Sequence, residues 1–203
     1  MTRVLLASRN AKKLAELRRV VAAAGLEGLT VVGLDDVPQF PEEPETGATF
    51  EENALIKARS GARATGLPCV ADDSGLAVDA LNGMPGVLSA RWSGRHGDDE
   101  ANNSLLLGQL GDVPADRRGG AFVSACALVT PAGEETVVRG QWRGRIVDEP
   151  RGAAGFGYDP LFVPDDAEAG GRTSAELAPA EKDALSHRGK ALAQLVPFLR
   201  ALA

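Results

Sequence analysis

Residues able to make soft-metal or redox sites are scarce in this 203-residue chain, which has two Cys, two His, two Met and only 4% aromatics. Two cysteines without histidines at ligand spacing exclude a zinc finger, and they supply no disulfide framework. Cys69 and Cys126 lie in apolar, strand-like runs and are expected as buried thiols. His96 sits in a polar glycine loop and is given no role. No apolar run approaches the roughly 18–20 residues of a membrane span. The first apolar run turns polar at Ser8, too soon for the core of a signal peptide, so a cytoplasmic location is expected. An excess of cations is missing too. The formal net charge of −6 argues against a polymeric nucleic acid as partner, because a phosphate-backbone footprint needs basic surface. A small anion remains compatible, given a local cluster of cations and N–H groups or a metal.

What is present is ordinary for a folded domain: 44% apolar and 25% charged residues. The length fits one domain or one domain with two lobes, and no repeat or linker divides residues 1–203. Arg3–Ala7 predicts a buried strand, and Leu14, Leu17, Val20, Val21 and Ala24 predict a helix closed by Gly25. Residues 35–46 read as loop. Thr49-Phe-Glu-Glu52 is a capping box opening a helix that ends near Gly66. Pro68–Ala71 and Leu76–Ala80 read as two strands flanking Asp72-Asp73-Ser74-Gly75. Gly83–Gly97 reads as loop, and Asp98 caps the helix after it. Ala121–Thr130 and Thr136–Val147 form a predicted hairpin. Thr173-Ser-Ala-Glu176 repeats the capping-box pattern, and Ser186–Leu202 is a final helix that Pro197 should kink or break. Strands alternating with helices, then a hairpin and terminal helices, predict an α/β fold around a mixed sheet.

Four segments carry candidate chemistry. Ser8-Arg-Asn-Ala-Lys-Lys13 lies between a strand and a helix, where N–H groups and the helix dipole favour phosphate, or where Ser8 or Asn10 serves only as a cap. Asp72 and Asp73, pointing opposite ways along a strand, suit Mg²⁺, a hard cation that takes carboxylate, phosphate and water oxygens. Glu45 and Glu52 are candidates for a second carboxylate; the alternative for Asp-Asp-Ser-Gly is a plain hairpin turn. Gly155-Phe-Gly-Tyr-Asp-Pro160 sets two aromatics in a glycine frame, either to stack a base or to bury both rings. Lys182 and Ser186-His-Arg-Gly-Lys190 gather donors near the last helix, as an anion or carbonyl site or as a solvated face.

Taken in order, these segments resemble the inosine triphosphate pyrophosphatase family. The resemblance rests on Ser8-x-Asn10-x-x-Lys13, Glu45-Thr-Gly-x-Thr-Phe-x-Glu52-Asn-Ala-x-x-Lys57-Ala, Ala71-Asp-Asp-Ser-Gly-Leu-x-Val78, Gly155-Phe-Gly-Tyr-Asp-Pro160 and Ser186-His-Arg-Gly189. Arg9 stands where the family commonly has glycine. The resemblance implies an elongated two-lobed α/β fold, a mixed β-sheet with flanking helices, an active-site cleft between the lobes, and a homodimer. It implies hydrolysis of inosine, deoxyinosine and xanthosine triphosphates to monophosphate and pyrophosphate with Mg²⁺. Asp73 would be the base and a metal ligand, with Asp72 and Glu45. Ser8, Arg9, Asn10, Ala11, Lys12, Lys13 and Lys182 would hold the triphosphate, with Lys57 a further phosphate contact and Ser74 another. Phe156, Gly157, Tyr158 and Asp159, with His187 and Arg188, would surround the purine. The alternatives are a septum-inhibitor-type pyrimidine nucleotide pyrophosphatase and a nucleotide-binding module without turnover.

Overall fold

A computed structural model of the chain describes residues 1–178, 181, 182 and 185–203. Its strands are β1 (Thr2–Leu6), β2 (Leu29–Val32), β3 (Cys69–Val78), β4 (Gly119–Val129), β5 (Glu135–Ile146) and β6 (Phe162–Pro164), in the sheet order β2-β1-β3-β4-β5-β6. The sheet is mixed: β1 runs parallel to β2 and β3, while β5 and β6 are antiparallel. Among the described residues the α-helices include α1 (Ala11–Ala23), α2 (Phe50–Thr65), α3 (Asp99–Gln109) and α4 (His187–Arg200). No helix among the described residues is long and apolar enough to cross a membrane.

The chain divides into two compact units. Unit one is Met1–Asp73, Ser124–Gly140 and Lys190–Ala203; unit two is Ser74–Val123 and Gln141–Gly189. Unit one has a core of Val4, Leu6, Leu17, Val21, Val70, Leu128, Leu195 and Leu199, among others. In unit two, Leu76, Leu106, Leu110, Phe122, Trp142, Tyr158 and Phe162 are buried together.

Local sequence explains most elements. Asn10 caps α1 by accepting from the Lys12 and Lys13 N–H groups, and Asp98 caps α3 by accepting from Ala101. The Thr49/Glu52 capping box forms at the start of α2, and Gly66 closes that helix in the left-handed region at φ 68°. Along β5, Val138, Gly140, Trp142, Gly144 and Ile146 are buried and the intervening residues exposed, the period of two that a one-faced strand requires. β4 is buried on nearly every residue, as a central strand covered on both faces should be. In unit one, α2 lies so close to its neighbours that a Cβ on Gly61 would come 2.5 Å from Cys69 Sγ. That approach fixes the helix from which Asn53 and Lys57 project, one turn apart on the same side.

Two expectations are corrected, and a third is met on a short element. Asp-Asp-Ser-Gly is no turn between two strands, because β3 runs without interruption from Cys69 to Val78. Its glycine reflects a close approach: a Cβ on Gly75 would overlap Ser89 Oγ and crowd the Gly86 carbonyl. The Thr173/Glu176 capping box forms as expected, on a single 3₁₀ turn, Ser174–Glu176. The last helix continues through Pro197 to Arg200. Proline costs about 3 kcal/mol inside a helix, whereas burying a leucine is worth about 1.5–3 kcal/mol. Leu195 and Leu199, both buried in the core of unit one, hold the turns on either side.

Candidate active site

In unit one, strand alternation sends adjacent carboxylates to different cations. Asp72, 6% exposed, pairs with Lys13 Nζ at 2.7 Å. Asp73 turns toward α2, where Asn53 Nδ2 donates to its Oδ2 (3.1 Å) and Lys57 Nζ to its Oδ1 (3.4 Å). The same ammonium donates to Glu45 Oε1 at 2.8 Å, so Glu45 and Asp73 converge on one cation. Burial pushes the Asp73 carboxyl above the ordinary aspartate range, against the Lys57 charge and the Asn53 bond, with Glu45 adding to the rise. Burial also pulls on Lys57, but the carboxylates of Asp73 and Glu45 outweigh it and raise its pKa. A deprotonated Asp73 is therefore held under tension by burial and kept in place by two donors.

The acidic residues are not all brought together. Among the described residues no three His, Cys, Asp or Glu side chains gather to hold a metal ion. Asp72 faces Lys13 instead, and Glu52 is used by its cap, accepting from the N–H groups of Ala48 (2.6 Å) and Thr49 (3.3 Å). Glu45 and Asp73 remain: two hard carboxylates already directed at one positive charge. That donor set fits Mg²⁺, which completes its shell with phosphate and water.

The Ser8–Lys13 segment makes its own cap. Ser8 Oγ accepts from the Asn10 N–H (3.2 Å), and Asn10 Oδ1 accepts from Lys12 (2.9 Å) and Lys13 (3.4 Å). Ala11 starts α1, Lys12 is exposed, and Arg9 reaches away to Glu42 at 2.5 Å. An anion here would meet Lys12 and the dipole of α1 rather than the two N–H groups that Asn10 already takes.

In unit two, the glycine-framed segment is organised around Asp159, which is 3% exposed. Its Oδ2 accepts from the Phe156 N–H at 2.8 Å and pairs closely with Lys182, while its Oδ1 accepts from Ser174 Oγ at 2.8 Å. The two aromatics part company. Tyr158 is buried and its hydroxyl donates to the Ser89 carbonyl (2.8 Å), whereas Phe156 is 53% exposed with the Lys182 ammonium 5.2 Å from its ring centre. Lys182 thus stands with the aromatic loop. His187 stacks on Phe122 at 5.1 Å between ring centres, and Arg188 Nη2 donates to Ser74 Oγ at 3.1 Å.

Residues 4–198 match the model of the Ham1 family. The chain belongs to the Ham1 family. It is 72% identical over its full length to a dITP/XTP pyrophosphatase of Nocardia farcinica, covering 97% of that protein. A crystal structure of a nucleoside-triphosphatase, dITP/XTP pyrophosphatase, from Mycobacterium abscessus matches with TM-score 0.83 at 67% identity, over 98% of this chain and 100% of that one. The Staphylococcus aureus Ham1 protein matches with TM-score 0.88 at 37% identity, over the whole of both chains. The resemblance of the ordered segments is thereby borne out, as is the mixed-sheet α/β fold.

Several residues of this Ham1 chain that shape the site escape sequence reading. Asn53, fully buried, joins Asp73 to the acidic loop, because its Oδ1 accepts from the Gly47 N–H at 2.8 Å. Ser89 ties β3 to its surroundings by accepting from Leu76 N–H (2.9 Å) and donating to Gly86 O (2.6 Å). Asp99 and Asn103 reach Gly157 from α3. Asn53 falls inside a quoted motif, which is a signal without a role; nothing in the sequence marks the other three.

Proposed function

We propose that this protein is a nucleoside-triphosphate pyrophosphatase that hydrolyses ITP, dITP and XTP to the monophosphate and pyrophosphate, removing deaminated purines from the nucleotide pool. The observation that carries the chemistry is the convergence of Asp73 and Glu45 on Lys57, with Asn53 fixing the second oxygen of Asp73.

Asp73 orients a water and takes its proton as the water oxygen bonds to the α-phosphorus. The bond from the α-phosphorus to the α,β-bridging oxygen breaks, and pyrophosphate departs with the electron pair. Glu45 and Asp73 would hold Mg²⁺, which when bound neutralises charge on the phosphate oxygens; Asp72 contributes by fixing Lys13. Lys12, Lys13 and Lys57, with the Ser8–Asn10 turn, balance the negative charge of the triphosphate and of the leaving group. Ser74 adds a polar contact beside Arg188. Phe156 offers a ring face to the base, with Lys182 and Asp159 setting its loop, and His187 and Arg188 donate to a 6-oxo group. The 6-amino group of adenine would present a donor to these donors, and the 2-amino group of guanine would be left without an acceptor. By family resemblance the enzyme works in the cytoplasm as a homodimer.

The deciding experiment is turnover with Mg²⁺ on ITP, XTP, GTP, ATP and pyrimidine triphosphates, with product analysis in ¹⁸O-labelled water. Label in the inosine monophosphate is expected. Label in pyrophosphate, preference for pyrimidines, or binding without turnover would each overturn the reading.

A further inference from the structure

The backbone of Gly157 is held from both ends by one helix. Its N–H donates to Asp99 Oδ2 at 2.7 Å, and its carbonyl accepts from Asn103 Nδ2 at 3.0 Å. Asp99 is the first residue of α3 and Asn103 lies one turn on, so the pair shares a helix face. Asp99 is also placed at the positive end of the helix dipole, where a carboxylate is favoured. Gly157 itself is left-handed, at φ 61°, between the exposed ring of Phe156 and the buried ring of Tyr158. The neighbouring Phe156 N–H is already taken by Asp159.

Neither Asp99 nor Asn103 is the cap of α3 or one of its buried residues. The cap is Asp98, and the buried residues of the helix are Asn102 and Leu106. Two polar side chains 58 and 54 residues away in sequence from Gly157 instead bond to the two peptide groups that flank its Cα. A charge-assisted bond to a backbone N–H is among the stronger kinds; Asp99 holds the peptide between Phe156 and Gly157, and Asn103 holds the next one, so Gly157 is fixed on both sides.

We propose that Asp99 and Asn103 are positioning residues for nucleobase selection, clamping Gly157 so that the Phe156 ring presents one face to the base. The inference rests on the assignment of Phe156–Asp159 to the base. Its test compares the wild type with Asp99→Ala, Asp99→Asn and Asn103→Ala, using kcat and KM for ITP, XTP, GTP and ATP, inhibition by inorganic tripolyphosphate, and amide exchange of the peptide covering residues 154–161.

Asp99→Ala should speed exchange in that peptide. It should also raise KM for ITP and XTP by about tenfold to a hundredfold, the effect of losing a hydrogen bond to a charged group. kcat and tripolyphosphate inhibition should stay near wild type. Asp99→Asn, which keeps an acceptor, should restore much of the loss, and Asn103→Ala should show a smaller change of the same kind. Unchanged exchange, or equal losses for all four nucleotides and tripolyphosphate, would overturn the clamp. A wild type indifferent to the base would overturn the base assignment itself; a selective wild type with equally selective variants overturns only the clamp.

Discussion

The two sets of side chains are positioned by different means. In unit one, Asn53 and Lys57 project from α2 and Asp73 from β3, so regular backbone does the positioning and the bonds run from side chain to side chain. In unit two, Gly155–Tyr158 has no regular backbone, and side chains tie its peptide groups: Asp159 to Phe156, Asp99 and Asn103 to Gly157. Buried charge serves both arrangements, Asp73 with Lys57 in the first and Asp159 with Lys182 in the second, and such pairs tolerate little displacement before their attraction fails to offset desolvation. A ring that stacks on a base needs a chosen orientation more than a low tolerance, and a tethered loop supplies one. On the proposed reading, chemistry rests on a helix and a strand with Glu45 from a loop, and base recognition on a tethered loop.

The sharpest break should come at Asp73. Asp73→Asn keeps volume and removes the charge, so single-turnover hydrolysis should fall by about 10²–10⁴ while nucleotide binding persists. Near-wild-type cleavage would remove Asp73 as the base. On the recognition side, Arg188→Ala should lower kcat/KM for ITP by about tenfold to a hundredfold and narrow the gap between ITP and ATP, whose 6-amino group never gained from this donor. If selectivity among the four purine triphosphates does not move, Arg188 is not what reads the base.

A third change tests whether the loop depends on its tethers. Gly155 lies at φ 83°, and a Cβ there would overlap the Asp159 carboxylate that holds Phe156 and Lys182; Gly157 at φ 61° has no atom within 4 Å of an added Cβ. Gly155→Ala should therefore raise KM and cost about 1–3 kcal/mol in chemical denaturation. Gly157→Ala carries only the backbone penalty and should cost less. Equal effects from both would mean that Asp159 is not the organiser.

How far the sequence could be read follows the same division. Caps at Thr49 and Asp98, a cap at Ser8 or Asn10, and the strand of β5 are legible, because each depends on residues within a turn or a strand. The Asp-Asp-Ser-Gly segment was misread as a break between strands: local turn chemistry suggested one, while the extended backbone is set by Ser89, 13 residues from Leu76. Asp72 and Asp73 were correctly expected to diverge. Their partners were not legible, nor that Glu52 would spend its carboxylate on a cap. Phe156 and Tyr158 were read as a pair, either both for a base or both for the core, and the fold separates them because the Tyr158 hydroxyl finds a carbonyl 69 residues away.

The smallest expected effect concerns stability and runs opposite to activity. Burial raises the Asp73 pKa in the folded chain above its unfolded value, in spite of Lys57 and Asn53. Between those two values the folded state binds more protons than the unfolded state, so this group's contribution to stability falls as pH rises through that window. Above both values, the ionised carboxylate weakens the fold. Asp73→Asn removes that burden and leaves Lys57 its bond to Glu45. With chelator present, so that bound metal does not mask the difference, the variant should melt above wild type at pH 7. Each kcal/mol of relief should move Tm by about 2–4 °C at this chain length. The gap should close as pH is lowered through the native Asp73 pKa toward the ordinary aspartate range, where wild type is also neutral at this position. A variant that melts lower at pH 7, or a gap that does not change with pH, would mean that Lys57 and Asn53 compensate Asp73 fully and that the site imposes no cost on the fold.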